Sequence, residues 1–119
     1  MKWTGKHDPQ ALADALRGAL KGKRGITEKR MFGGVCFLLR EHMLCGSAKE
    51  GYMFRVGRDA HAAAVKRQGA RAMVHNGRRM EGFIWVDPEV TDLKPWIALA
   101  DDYVSRLPPK RKKAAGSRR

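Results

Sequence analysis

Cys36, His42 and Cys45 stand close together in the chain, and thiolate and imidazole are the donors that hold zinc or run thiol redox chemistry. A zinc site needs three or four such ligands at compact spacing, and neither a C-x-x-C nor an H-x-x-x-H motif occurs. Val35 to Leu39 is an apolar run that suits a strand, and Met43 to Ala48 can return antiparallel to it. Pairing Leu39 with Met43 sets Cys36 opposite Gly46 and puts Cys45 on the other face of the sheet. A one-residue slip would bring both thiols to one face. The sequence thus predicts two free thiols in a reducing cytoplasm, with no metal and no cofactor. His7, His42, His61 and His75 have no Ser or Asp partner at a recognisable catalytic spacing, and Asp101-Asp102 reads as a solvated helix face. The expectation is a protein that is not an enzyme.

Two segments are better suited to binding. Arg30, Met31, Phe32, Gly33 and Gly34 form a candidate partner-binding loop, in which the glycines allow positive φ or close approach of another backbone. The competing reading is a turn into the next strand, with Met31 and Phe32 packed in the core. No Lys-Ser/Thr follows the glycines, so this is not a phosphate loop. The other segment is the C-terminal PPKRKKAAGSRR, whose Lys110, Arg111, Lys112, Lys113, Arg118 and Arg119 are candidate polyanion ligands. Such clusters neutralise phosphates without reading bases. No helix-turn-helix, zinc finger or ribonucleoprotein motif accompanies them, so nucleic-acid binding through this tail would be weakly sequence-specific.

The elements that position these residues must fit into 119 residues, which is room for one domain. Lys and Arg number 25 against 12 Asp and Glu, a formal charge of +13. The tail holds six of those charges and no acid, which leaves +7 on residues 1–107. Residues 108–119 cannot bury enough to offset their ordering entropy, so the expected organisation is a domain over 1–107 and a disordered basic tail over 108–119. No apolar run is long enough for a membrane span, and the N-terminus lacks the apolar core of a secretory signal.

Asp8-Pro9 is a helix start, and Leu12, Leu16 and Leu20 make one stripe over about 9–21. Three strands then alternate with the polar turns Arg40-Glu41-His42 and Lys49-Glu50-Gly51. In the third of them Tyr52, Phe54 and Val56 share a face. Asp59 can cap a short helix over about 60–68, with Ala60, Ala63 and Ala64 on its buried side. Asn76-Gly77 marks a hairpin, and in its second strand Phe83 and Trp85 alternate with Ile84 and Val86, so both faces are apolar. Asp92 caps a last helix over about 93–107, with Trp96 and Ile97 buried in its stripe. Antiparallel runs grouped between helices indicate an α+β two-layer domain.

The run Arg30-Met31-Phe32-Gly33-Gly34-Val35, the segment Tyr52-Met53-Phe54-Arg55-Val56, the strand Gly82-Phe83-Ile84-Trp85-Val86-Asp87-Pro88 and the closing Trp96 helix together resemble the TfoX N-terminal domain family, also called TfoX/Sxy. The resemblance covers about residues 9–107. It implies an α-β(3)-α-β(2)-α sandwich with an antiparallel sheet, of the secretion-chaperone-like type. Where the family tends to have a further small residue, usually Gly, this chain has Cys36. Longer members carry a second domain and regulate competence in bacteria with a cAMP-receptor-type transcription factor. The resemblance therefore implies a regulatory or adaptor domain acting through protein contacts, with a transcription regulator as the expected kind of partner. The alternative is a nucleic-acid-binding accessory protein that uses the tail.

Overall fold

Asp8 caps the first helix as its place before Pro9 predicts. In the computed structural model, which describes residues 7–31, 33–90 and 92–108, its carboxylate accepts the Gln10 N–H at 3.0 Å and opens α1 (Pro9–Ala19). Ala13, Leu16 and, just past the helix, Leu20 are buried, so the four-residue stripe faces the interior. The chain then enters β1 (Ile26–Met31), a strand additional to the three expected before the second helix. Its residues Thr27 to Arg30 are all exposed, which is why no apolar alternation announces it. β1 is an edge strand, and charged side chains protect such an edge from pairing with other chains.

β2 (Gly34–Leu39), β3 (His42–Ala48) and β4 (Gly51–Arg55) follow as an antiparallel meander. The β2–β3 hairpin closes at Leu39–His42, one residue earlier than expected. Leu44 is then an extra residue in β3, so Phe37 still pairs with Cys45 and Cys36 with Gly46.

The second helix, α2 (Arg58–Ala64), starts before Asp59, and its cap is Gly57 at φ +86°. Backbone geometry overrides the Asp59 cap here. The Gly82 carbonyl accepts both the Val56 and Gly57 N–H groups, at 2.8 and 3.2 Å, and this fixes the turn into the helix. The earlier start changes the buried side, where Ala64 and His61 are covered while Ala63 is exposed. The His61 Nδ1 accepts the Gly82 N–H at 2.9 Å, so the imidazole satisfies a buried donor at a kink in the sheet.

β5 (Ala70–His75) and β6 (Arg78–Val86) form the Asn76-Gly77 hairpin, with both turn residues at positive φ (+53° and +76°). Asp92 then opens α3 (Leu93–Val104) through the Lys94 N–H. Trp96, Ala100 and Val104 face inward at four-residue spacing, and Ile97, one step round the helix, is only half-buried.

The sheet order is β1-β2-β3-β4-β6-β5 and every pairing is antiparallel. All three helices contribute to one core with Val35, Phe37, Phe54, Ile84 and Val86. Trp96 stacks on Phe54 with ring centroids 5.6 Å apart. The domain is a two-layer α+β sandwich with helix, strands, helix, strands and helix in order.

Candidate functional site

Because the helices cover the Phe37 and Phe54 side, alternate strand residues point to the other face, on which no helix packs among the described residues. One register row crosses all six strands there: Lys29, Cys36, Gly46, Met53, Trp85 and Arg71. An antiparallel sheet with one solvated face ordinarily presents polar residues on it. Here the middle of the row is apolar and a cation stands at each edge. Cys36 and Met53 are 2% and 5% exposed even without a covering helix, while Trp85 is half-buried. Gly34, Gly46, Ala48 and Gly51 on the same face are buried as well, and Leu38 is 9% exposed, so half-buried Trp85 and the edge cations are the groups that reach solvent there. At the β4 end the Arg55 guanidinium lies 5.6 Å from the ring centres of both Phe83 and Tyr103, adding a third cation at the margin. No cross-strand partner in these rows is a carboxylate.

The expected partner-binding loop is not a free loop. Arg30 and Met31 belong to β1, Gly33 forms the turn at φ +74°, and Gly34 opens β2; Phe32 lies outside the described residues. Gly34 is there for space. A Cβ on it would stand 1.7 Å from the Ser47 carbonyl oxygen in β3. The Ser47 hydroxyl in turn donates to the Pro9 carbonyl at 2.8 Å, which ties the sheet to the start of α1. The tail residues Lys110, Arg111, Lys112, Lys113, Arg118 and Arg119 also lie outside the described residues.

The two thiols occupy opposite faces, Cys45 in the core and Cys36 on the open side. Burial pushes the Cys36 thiol up to about 11 and the Cys45 thiol higher still, which keeps both protonated and poorly nucleophilic at neutral pH. Among the described residues no three His, Cys, Asp or Glu side chains converge. Asp101 is half-buried and pairs with Lys23 at 3.0 Å, so it is less solvated than its sequence suggests, while Asp102 pairs with Arg106 in the open. A hollow lined by Leu39, Arg40, His42, Val104, Ser105 and Leu107 brings together one imidazole and one guanidinium, without a carboxylate or thiol beside them. No helix among the described residues is long and apolar enough to cross a membrane.

The β6 alternation already put apolar groups on both faces, but sequence reasoning did not single out Lys29, Met53, Trp85 and Arg71 as a set. They become neighbours only through the six-strand register.

Comparison with curated proteins and with solved structures finds no match. A family model does match: that of the TfoX N-terminal domain, over residues 18–102. The matched span runs from the end of α1 through most of α3 and includes every strand that builds the open face. The chain belongs to the TfoX N-terminal domain family.

Proposed function

We propose that this domain is a regulatory adaptor that works through protein contacts, and that the helix-free face of its sheet is where the partner docks. The observation that carries the reading is the row Lys29–Cys36–Gly46–Met53–Trp85–Arg71, an apolar strip bounded by cations. Cys36 and Met53 are closed to solvent, so half-buried Trp85 and the edge cations are the part of the row that a partner meets first. The occupant that fits is an amphipathic helix of a partner protein, with an apolar stripe for the Trp85 side of the strip and carboxylates for the Lys29 edge. A second copy of the domain would set cation against cation. The family is not a known enzyme family, which supports a binding role. The expected partner is a transcription regulator.

The test is made in the cells that encode the protein. Lys29→Glu with Trp85→Glu reverses an edge charge and puts a carboxylate in the strip, on the sheet face away from the helices and the core they cover. The variant should fold with an unchanged far-UV spectrum, and its transcript profile should match that of the deletion strain. A folded variant with a wild-type transcript profile would overturn the reading.

A further inference from the structure

The strand directions bring one end of the sheet together from segments far apart in the chain. β2 and β4 finish at this end, β1 and β3 begin there, and the β5–β6 hairpin projects beyond it. β4 pairs with β6 only over Phe83–Val86, so past Gly82 the hairpin is a two-stranded arm of about four residues per strand, ~13 Å long. Its turn follows Val74, which is 59% exposed, and leads into exposed Arg78 and Arg79. At the other side of this end the exit of α1 carries Lys21 and Arg24. The Arg40 N–H donates to the Gly25 carbonyl at 2.9 Å, which places the β2–β3 turn beside them. Arg58 opens α2 next to the base of the arm. Pro108 is held here too, its carbonyl 2.7 Å from the His42 Nε2.

Lys21, Arg24, Arg40, Arg58, Arg78 and Arg79 are all exposed, and none takes part in an ion pair among the described residues. The acids near them are Glu41, Asp59 and Glu81, half their number. Asp101 and Asp102, which also lie toward this end, are already matched by Lys23 and Arg106. The opposite end is nearly balanced, with Asp8, Glu50, Asp87, Glu89 and Asp92 against Arg30, Lys49, Lys66, Arg67, Arg71 and Lys94 near its turns and helix ends. Two of the six cations adjoin the negative end of the α1 dipole, which accounts for Lys21 and Arg24 in part. The dipole does not account for Arg40, Arg78 and Arg79, which sit on hairpins.

We propose that this end of the folded domain binds the phosphate backbone of duplex nucleic acid, with the β5–β6 arm and the Arg24–Arg40 corner as its two flanks. From β1 to β5 the sheet is ~24 Å wide, five strand spacings, so the two flanks meet phosphates several base pairs apart. A two-stranded ribbon is also an element that a DNA groove admits. The contacts are to phosphate, so the binding is nearly indifferent to sequence. This surface is separate from the open face proposed for the protein partner.

The experiment is fluorescence anisotropy with the full chain and two unrelated labelled duplexes of about 20 base pairs over a salt series. Engagement of all six cations gives a log–log salt slope of up to about −5, from roughly 0.9 per phosphate. Arg24→Glu with Arg40→Glu, and separately Arg78→Glu with Arg79→Glu, should each weaken binding at least tenfold at low salt and flatten the slope by about one to two. Lys49→Glu with Lys66→Glu, at the opposite end, carries the same charge change and should weaken binding by less than threefold. Equal losses at the two ends would overturn the proposal, as would loss only on changing Lys110, Arg111, Lys112 and Lys113 to Gln. Poly-glutamate that displaces the duplex at matched charge concentration would also overturn it, in favour of an acidic protein. Lys29→Glu with Trp85→Glu should leave duplex binding within threefold, so the two proposals fail separately.

Discussion

Gly33 and Gly34 are adjacent, yet the structure assigns them different work, and alanine at each position separates the two. Gly33 stands in open space at φ +74°, so Ala there meets no atom and is penalised only for a left-handed backbone, about 1–2 kcal/mol. Gly34 does not need unusual backbone angles. Its difficulty is the Ser47 carbonyl oxygen, 1.7 Å from where the Cβ would be. Ordinary contact needs about 3.5 Å, so β2 and β3 must separate locally by well over an ångström. A displacement of that size breaks about two ladder hydrogen bonds, each worth about 1 kcal/mol net, and leaves buried backbone groups unpaired at a further 1–3 kcal/mol each. It also moves Ser47, whose hydroxyl holds the Pro9 carbonyl. Gly34→Ala should therefore cost about 4 kcal/mol or more, a large part of the ~5–15 kcal/mol typical of a domain. Urea denaturation followed by tryptophan fluorescence measures both variants. Equal losses of about 1 kcal/mol at the two positions would refute the close-approach argument for Gly34.

Trp96 is 5% exposed between Phe54 and the Arg67 guanidinium, so Trp96→Ala should cost about 3–5 kcal/mol in chemical denaturation. Arg40 and Glu41 hold φ of +48° and +73° in a two-residue hairpin turn, so Arg40→Asn with Glu41→Gly should raise the denaturation midpoint, by about 1 kcal/mol of stability. Native Cys36 and Cys45 should react with iodoacetamide at pH 7.5 far more slowly than in the denatured chain, as followed by mass spectrometry. Both thiols titrate higher when folded than when unfolded. Their contribution to stability is therefore complete below about pH 9 and is lost as pH rises toward 11, which denaturation at a series of alkaline pH values would show. Glu28 titrates low because the Arg17 guanidinium grips it through two hydrogen bonds, so the attachment of β1 to α1 should weaken as pH falls below the usual carboxylate range, seen as faster amide exchange in Ile26–Met31.

The helices with side-chain caps were legible from local chemistry. Asp8-Pro9 and Asp92 with Pro95 announce α1 and α3, and the four-residue apolar spacing shows which sides they bury. β4 was equally readable, since Tyr52, Phe54 and Val56 share the face that packs in the core. β1 was hidden because Ile26–Met31 is a strand only by virtue of its hydrogen bonds to β2; its side chains carry no two-residue pattern. The start of α2 was misplaced because Asp59 advertises a cap, whereas the turn is set by Gly57 and Gly82, which are distant in sequence. The pairing of β6 with β4, which leaves β5 at the edge, is long-range and has no local signature. The candidate site inherits that difficulty. Phe83 and Trp85 showed that β6 is apolar on both faces, but the row that joins Trp85 to Lys29 and Arg71 exists only once all five pairings are known.

The claim that the open face receives an acidic amphipathic helix is tested most directly by amide chemical-shift mapping of the isotope-labelled full chain. Two synthetic helical peptides share one apolar stripe, flanked by glutamates in the first and by lysines in the second. The glutamate peptide should shift amides of Lys29, Cys36, Gly46, Met53 and Trp85 in a saturable manner, leave those of α1 and α3 unmoved, and lose its effect on Lys29→Glu with Trp85→Glu. Shifts that map to the helical side, or that are equal for the two peptides, would contradict the assignment of that face.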